Sequence, residues 1–100
     1  MAELGQIAEK IRSKNAGPFW LTVDIFCGTP EAFGQVCDRL KTADVAALFG
    51  VTPETMKRFE IAALNVVKIS LPRPQIQGSR LDRDMHGASW AALLAELDIS

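Results

Sequence analysis

Arg12, Ser13, Lys14 and Asn15 stand side by side just ahead of Gly17 and Pro18. Two cations, a hydroxyl and an amide in four consecutive positions form a cradle suited to a carboxylate or phosphate, because the arginine fork offers paired donors and the lysine a compact charge. Gly17 takes positive φ at no steric cost, while Pro18 fixes its own φ and biases the residue before it away from helix. The chain therefore turns there, and the four polar residues are expected in a loop ending a helix. The glycine spacing of a phosphate loop is missing. The competing reading is a solvated helix end whose cations complement the dipole.

Three further groups could carry chemistry. Asp24 is an acid inside an otherwise apolar run, so it either pairs with a cation or belongs to a site. Asp82, Asp84 and His86 alternate in a polar stretch, where they could line one face of an extended segment as metal ligands or as an acid and a base. With a single histidine and no second ligand cluster, a polar loop with local side-chain to backbone bonds is the preferred reading and no metal is expected. Cys27 and Cys37 lack the partners of a zinc site or a disulfide framework and read as free thiols packed as small apolar groups.

The elements that must hold these residues follow from periodicity. Leu4, Ile7, Ala8 and Ile11 recur at helical spacing, which predicts an amphipathic helix over 3–13, with a short edge strand as the alternative. Phe19 to Cys27 alternates as a strand with both faces largely apolar, so it is expected at the centre of a sheet and covered on both sides. Thr29-Pro30-Glu31 reads as cap, first helical residue and first-turn acid of a helix over about 30–40. A second short helix over about 43–49, capped by Thr42, ends at Gly50, and Thr52-Pro53-Glu54 repeats the device for about one turn. Strands are expected over about 57–61 and 64–71, the latter ending at Pro72-Arg73-Pro74. After the polar stretch of 75–87, Trp90, Ala91, Leu93, Leu94 and Leu97 predict a helix over about 88–97. Such an order implies an α+β domain with a small sheet against helices, for which the ferredoxin-like split βαβ is the nearest named arrangement. The core is expected to include Leu21, Val23, Ile25, Phe33, Leu40, Leu48, Val67, Ile69, Trp90 and Leu94.

One hundred residues, 48% of them hydrophobic and 23% charged, suit one globular domain and exclude a disordered chain or coiled coil. A net charge of -1 gives no electrostatic reason to expect nucleic acid, although a basic patch can hide in a balanced total. No run approaches a membrane span, and charged residues interrupt the N-terminal stretch where a secretory signal would be apolar; a cytoplasmic location is expected.

From Arg12 to Phe19, from Leu21 to Ile25 and from Val67 to Pro74, the sequence resembles a family of small bacterial proteins of unknown function that accompany proteins like acyclic-terpene-utilisation protein A. Gly78-Ser79, Asp82, Asp84 and His86-Gly87-Ala88 continue the pattern. It also resembles the ferredoxin-fold domain at the C-terminus of some larger relatives, where an Arg-Ser-Gly-Asp-Lys-Gly segment occupies the place of Arg12 to Gly17; Lys14 and Asn15 depart from that form. The resemblance implies a small accessory or site-completing subunit of a larger protein in carboxylic-acid or acyl-CoA catabolism; no cofactor is expected. The alternatives are a stand-alone enzyme acting on a small carboxylate and a self-associating domain. Arg12, Ser13, Lys14, Asn15 and Arg73 are the expected anion- or partner-binding residues, supported by Gly17, Asp24, Asp82, Asp84 and His86. The expected partners are the larger protein, a carboxylate or acyl-CoA ligand, and a second copy of the chain, with neither nucleic acid nor membrane.

Overall fold

A computed structural model describes residues 3–17, 19–72, 91 and 94–99. The chain runs through α1 (Leu4–Ile7), β1 (Lys10–Asn15), β2 (Trp20–Phe26), α2 (Pro30–Arg39), α3 (Thr42–Phe49), a 3-10 turn (Pro53–Thr55), β3 (Lys57–Ile61), a second 3-10 turn (Ala62–Leu64) and β4 (Val66–Pro72). The four strands form one antiparallel sheet in the order β1-β2-β4-β3. Because β4 lies between β2 and β3, those two run in the same direction, and α2 and α3 make the crossover of a split β-α-β unit. This is an α+β fold. A ferredoxin-like plait follows β-α-β-β-α-β, whereas this chain opens with two strands before its helices; it shares the split unit with that fold.

The expected helix over 3–13 is replaced by one turn, α1, and then β1. Ala8 already has extended backbone, at φ -77 and ψ 144. The edge strand wins because pairing with the central strand β2, from Lys10↔Phe26 to Asn15↔Leu21, satisfies backbone groups that a marginal isolated helix would have to satisfy alone. Gly17 sits at φ +85, as the turn into β2 requires.

Elsewhere the local signals hold. Thr29 caps α2 through an Oγ1 that accepts from the backbone N–H of Ala32 at 3.1 Å, with Pro30 at the first helical position. Thr29→Ala should therefore cost about 1 kcal/mol, read as a lower urea midpoint at unchanged slope. Gly50 ends α3 in the left-handed region at φ 72. Thr42 is the first helical residue of α3 rather than its cap, a place Lys41 takes with no side-chain capping bond.

Leu21, Val23 and Ile25 of β2 and Val67, Ile69 and Leu71 of β4 meet Val36 of α2, Leu40 at its C-cap, and Val45 and Phe49 of α3 in the core. Phe33 and Leu48, expected there, are half-buried at its margin. The helix expected over 88–97 is seen at Ala91, Leu94 and Ala95, with Leu94 fully buried; Trp90 lies outside the described residues. Backbone N–H of Leu4 donates to Leu97 O at 2.8 Å, tying α1 to the C-terminal segment. Among the described residues no helix is long and apolar enough to cross a membrane.

Candidate functional site

Strand geometry decides what the four consecutive polar residues can do. Successive side chains of β1 point to opposite faces, so Arg12 and Lys14 leave the sheet on one side while Ser13 and Asn15 leave it on the other. Ser13 is buried, and its Oγ accepts from the backbone N–H of Ala91 at 2.9 Å, which docks the C-terminal helix on the edge strand. The expected loop cradle is thus not formed as a unit. Arg12 and Lys14 remain as the pair able to meet an anion, and Gly17 serves the turn.

The register extends that pair into a charged face. Opposite Lys10, Arg12 and Lys14 stand Phe26, Asp24 and Thr22 of β2; beyond them come Val66, Lys68 and Ser70 of β4, and then Ile61, Phe59 and Lys57 of β3. Among the described strand residues of this outer face, Lys10, Arg12, Lys14, Lys57 and Lys68 stand with one acid, Asp24, and Glu9 lies beside Lys10 at the margin, although the whole chain is slightly acidic. The sequence reading missed Lys10, Lys57 and Lys68. The signal was present in the alternate spacing of Lys10, Arg12 and Lys14, which means a common face once the segment is read as a strand.

The outer face is covered in part, with Thr22 and Val66 buried there. Trp20 is 40% exposed, and Asp24 and Phe26 are half-buried. An open concavity of about 410 Å³ is lined by Arg12, Lys14, Asp24 and Phe26 and bounded at the strand edge by Ser13 and Ala91. A second, of about 500 Å³, continues it past Lys10 and Glu9. Arg12 and Asp24 are cross-strand neighbours, yet among the described residues the salt bridge that forms is Arg58–Glu60. Arg12 is exposed, so its guanidinium is presented to solvent rather than spent on a buried pair.

A second polar cluster lies at the opposite edge. Arg58 of β3 donates to Leu40 O and to Cys37 O, the latter at 3.1 Å, and meets Glu60 Oε2 at 2.9 Å. Burial pushes the Cys37 thiol up, reinforced by the Glu60 carboxylate and opposed by Arg58. Burial likewise raises Cys27, with Cys37 adding to the effect. A raised thiol pKa leaves little thiolate at neutral pH, which makes both poor nucleophiles. Among the described residues no three His, Cys, Asp or Glu side chains gather to hold a metal. Arg73, Asp82, Asp84 and His86 lie outside the described residues.

A family model for a domain of unknown function, DUF4387, matches residues 4–98. The chain belongs to that family. The match runs from α1 to the C-terminal segment, so the charged face lies wholly inside the DUF4387 domain. No curated protein and no solved structure matches it.

Proposed function

We propose that this DUF4387 domain is an accessory subunit that binds an anionic group through the outer face of β1 and β2. The group belongs to a larger protein or to that protein's carboxylate or acyl-CoA ligand, and Arg12 and Lys14 are the principal contacts. The observation that carries the reading is the segregation of charge, with five cations and one acid among the described strand residues of one sheet face in a chain whose net charge is -1. An arginine fork on a strand anchored to the core is a preorganised carboxylate receptor, and clustered like charges steer an anionic partner to it.

The resemblance to companions of acyclic-terpene-utilisation protein A names the larger protein to try first. Accessory binding is favoured over independent catalysis because the two concavities beside Arg12, among the described residues, are open rather than enclosing, and an enclosed pocket is the usual setting for small-molecule chemistry.

Co-expression with such a large protein, followed by size-exclusion chromatography, tests the proposal. The expected result is co-elution that is lost on Arg12→Glu with Lys14→Glu. Separate elution of the wild-type chains, with no binding to a panel of carboxylates and acyl-CoA thioesters, would overturn it. A single-stranded oligonucleotide belongs in the same titration, because the exposed Trp20 and Phe59 share the face with the cations and aromatic platforms with basic residues also suit unstacked bases. Preference for the oligonucleotide would replace the accessory reading.

A further inference from the structure

We infer that β3 is a homodimer interface at which two copies of this chain pair antiparallel through Lys57–Ile61 about a two-fold axis at Phe59, joining their sheets into one of eight strands. Among the described residues β1 and β3 are the outer strands of the sheet, and they are built differently. At β1, Lys10, Arg12 and Lys14 share one side, so self-pairing would set cations against cations; such an edge is protected by charge. At β3, Phe59 is 51% exposed and Ile61 36%, with Leu64 68% exposed just beyond it. An edge strand carrying exposed large apolar side chains is a template for another strand.

The sequence of β3 also chooses the register. Directly opposed residues of an antiparallel pair share a face, so two copies of Lys57-Arg58-Phe59-Glu60-Ile61 can centre their pairing on Arg58, Phe59 or Glu60 and still oppose at least three residues. Centring on Arg58 opposes two arginines, and centring on Glu60 opposes two carboxylates. Centring on Phe59 instead sets Arg58 across from Glu60 of the second copy, twice by symmetry, and stacks the two Phe59 rings at the axis. Lys57 then faces Ile61, where its aliphatic stem packs while the ammonium stays in water. Arg58 already holds its own Glu60 at 2.9 Å, so the two bridges become a four-membered network. This interface is at the opposite edge of the sheet from Arg12 and does not rest on the proposed anion-binding role.

Sedimentation equilibrium over roughly a hundredfold range of protein concentration tests the pairing. The expected result is a monomer–dimer equilibrium whose dissociation constant rises about tenfold or more on Phe59→Lys, with an unchanged circular dichroism spectrum. Register is read separately from Phe59→Cys in a Cys37→Ser background with an added disulfide oxidant. Cys at 59 should give a covalent dimer on non-reducing gels, whereas Lys57→Cys in the same background should not. A wild-type chain monomeric throughout, a dimer indifferent to Phe59→Lys, or a dimer that fails to cross-link at 59 would each overturn the inference.

Discussion

Replacing Arg58 with alanine is expected to destabilise the domain by about 2–4 kcal/mol, the range for leaving buried acceptors without their charged donor. The side chain is 17% exposed and donates to two carbonyls, those of Cys37 in the last turn of α2 and of Leu40, its C-cap. Helix ends leave carbonyls without intrahelical partners, and a guanidinium placed there also suits the negative end of the dipole. One side chain therefore closes the helix and fastens it to the edge strand. Most of the loss comes from the carbonyls, since Glu60 is 45% exposed and its ion pair contributes little in water. Glu60→Gln should accordingly cost under about 1 kcal/mol, and Arg58→Lys should recover only part of the loss because one ammonium does not reproduce the planar fork. Thermal melting would show the Arg58→Ala loss as a fall of roughly 10–20 °C for a domain of this size. A fall of under about 4 °C would mean that water replaces the guanidinium without cost.

Arg12→Ala should have the reverse profile. Arg12 is exposed, and the salt bridge among the described residues lies elsewhere, so its loss is expected to change stability by less than about 0.5 kcal/mol. Binding of the anionic partner should weaken about tenfold, and Arg12→Lys should lose much of the same affinity because it keeps charge but not paired donors. Asp24→Asn should act in the opposite direction. It removes the acid set across from Arg12, so anion binding should strengthen, and by a smaller factor in high salt, where exposed charges are screened. Isothermal titration beside melting curves separates the cases. Intact folding with lost affinity supports the site, whereas a large fall in melting temperature would make Arg12 a structural residue.

The Arg12 test depends on a segment whose character was only half legible. In β2 and β4 the alternation of Leu21, Val23 and Ile25, and of Val67, Ile69 and Leu71, writes the buried face into the chain, because a central strand must supply its own apolar contacts. In β1 that signal is thin. An edge strand half open to solvent needs little more than Ile11 and Ser13 turned inward, and the remainder of Lys-Ile-Arg-Ser-Lys-Asn reads as a polar helix end or loop. The cations Arg12 and Lys14 could be singled out by type. Their separation from Ser13 and Asn15 could not, because it depends on a backbone conformation fixed by β2.

The sequence by itself determined the local elements: a strand from Trp20, a helix begun by Thr29-Pro30, the αL end at Gly50, and a strand ending at Pro72. Each rests on steric or hydrogen-bonding preferences that act within a few residues. The tertiary structure decided the order β1-β2-β4-β3, the gathering of Lys10, Arg12, Lys14, Lys57 and Lys68 on one face, the reach of Arg58 to the end of α2, and the bond from Ala91 N to Ser13 Oγ across 78 residues. Those choices follow from burying one sheet face under helices and pairing its backbone groups, which requires contacts that no local stretch of the chain contains.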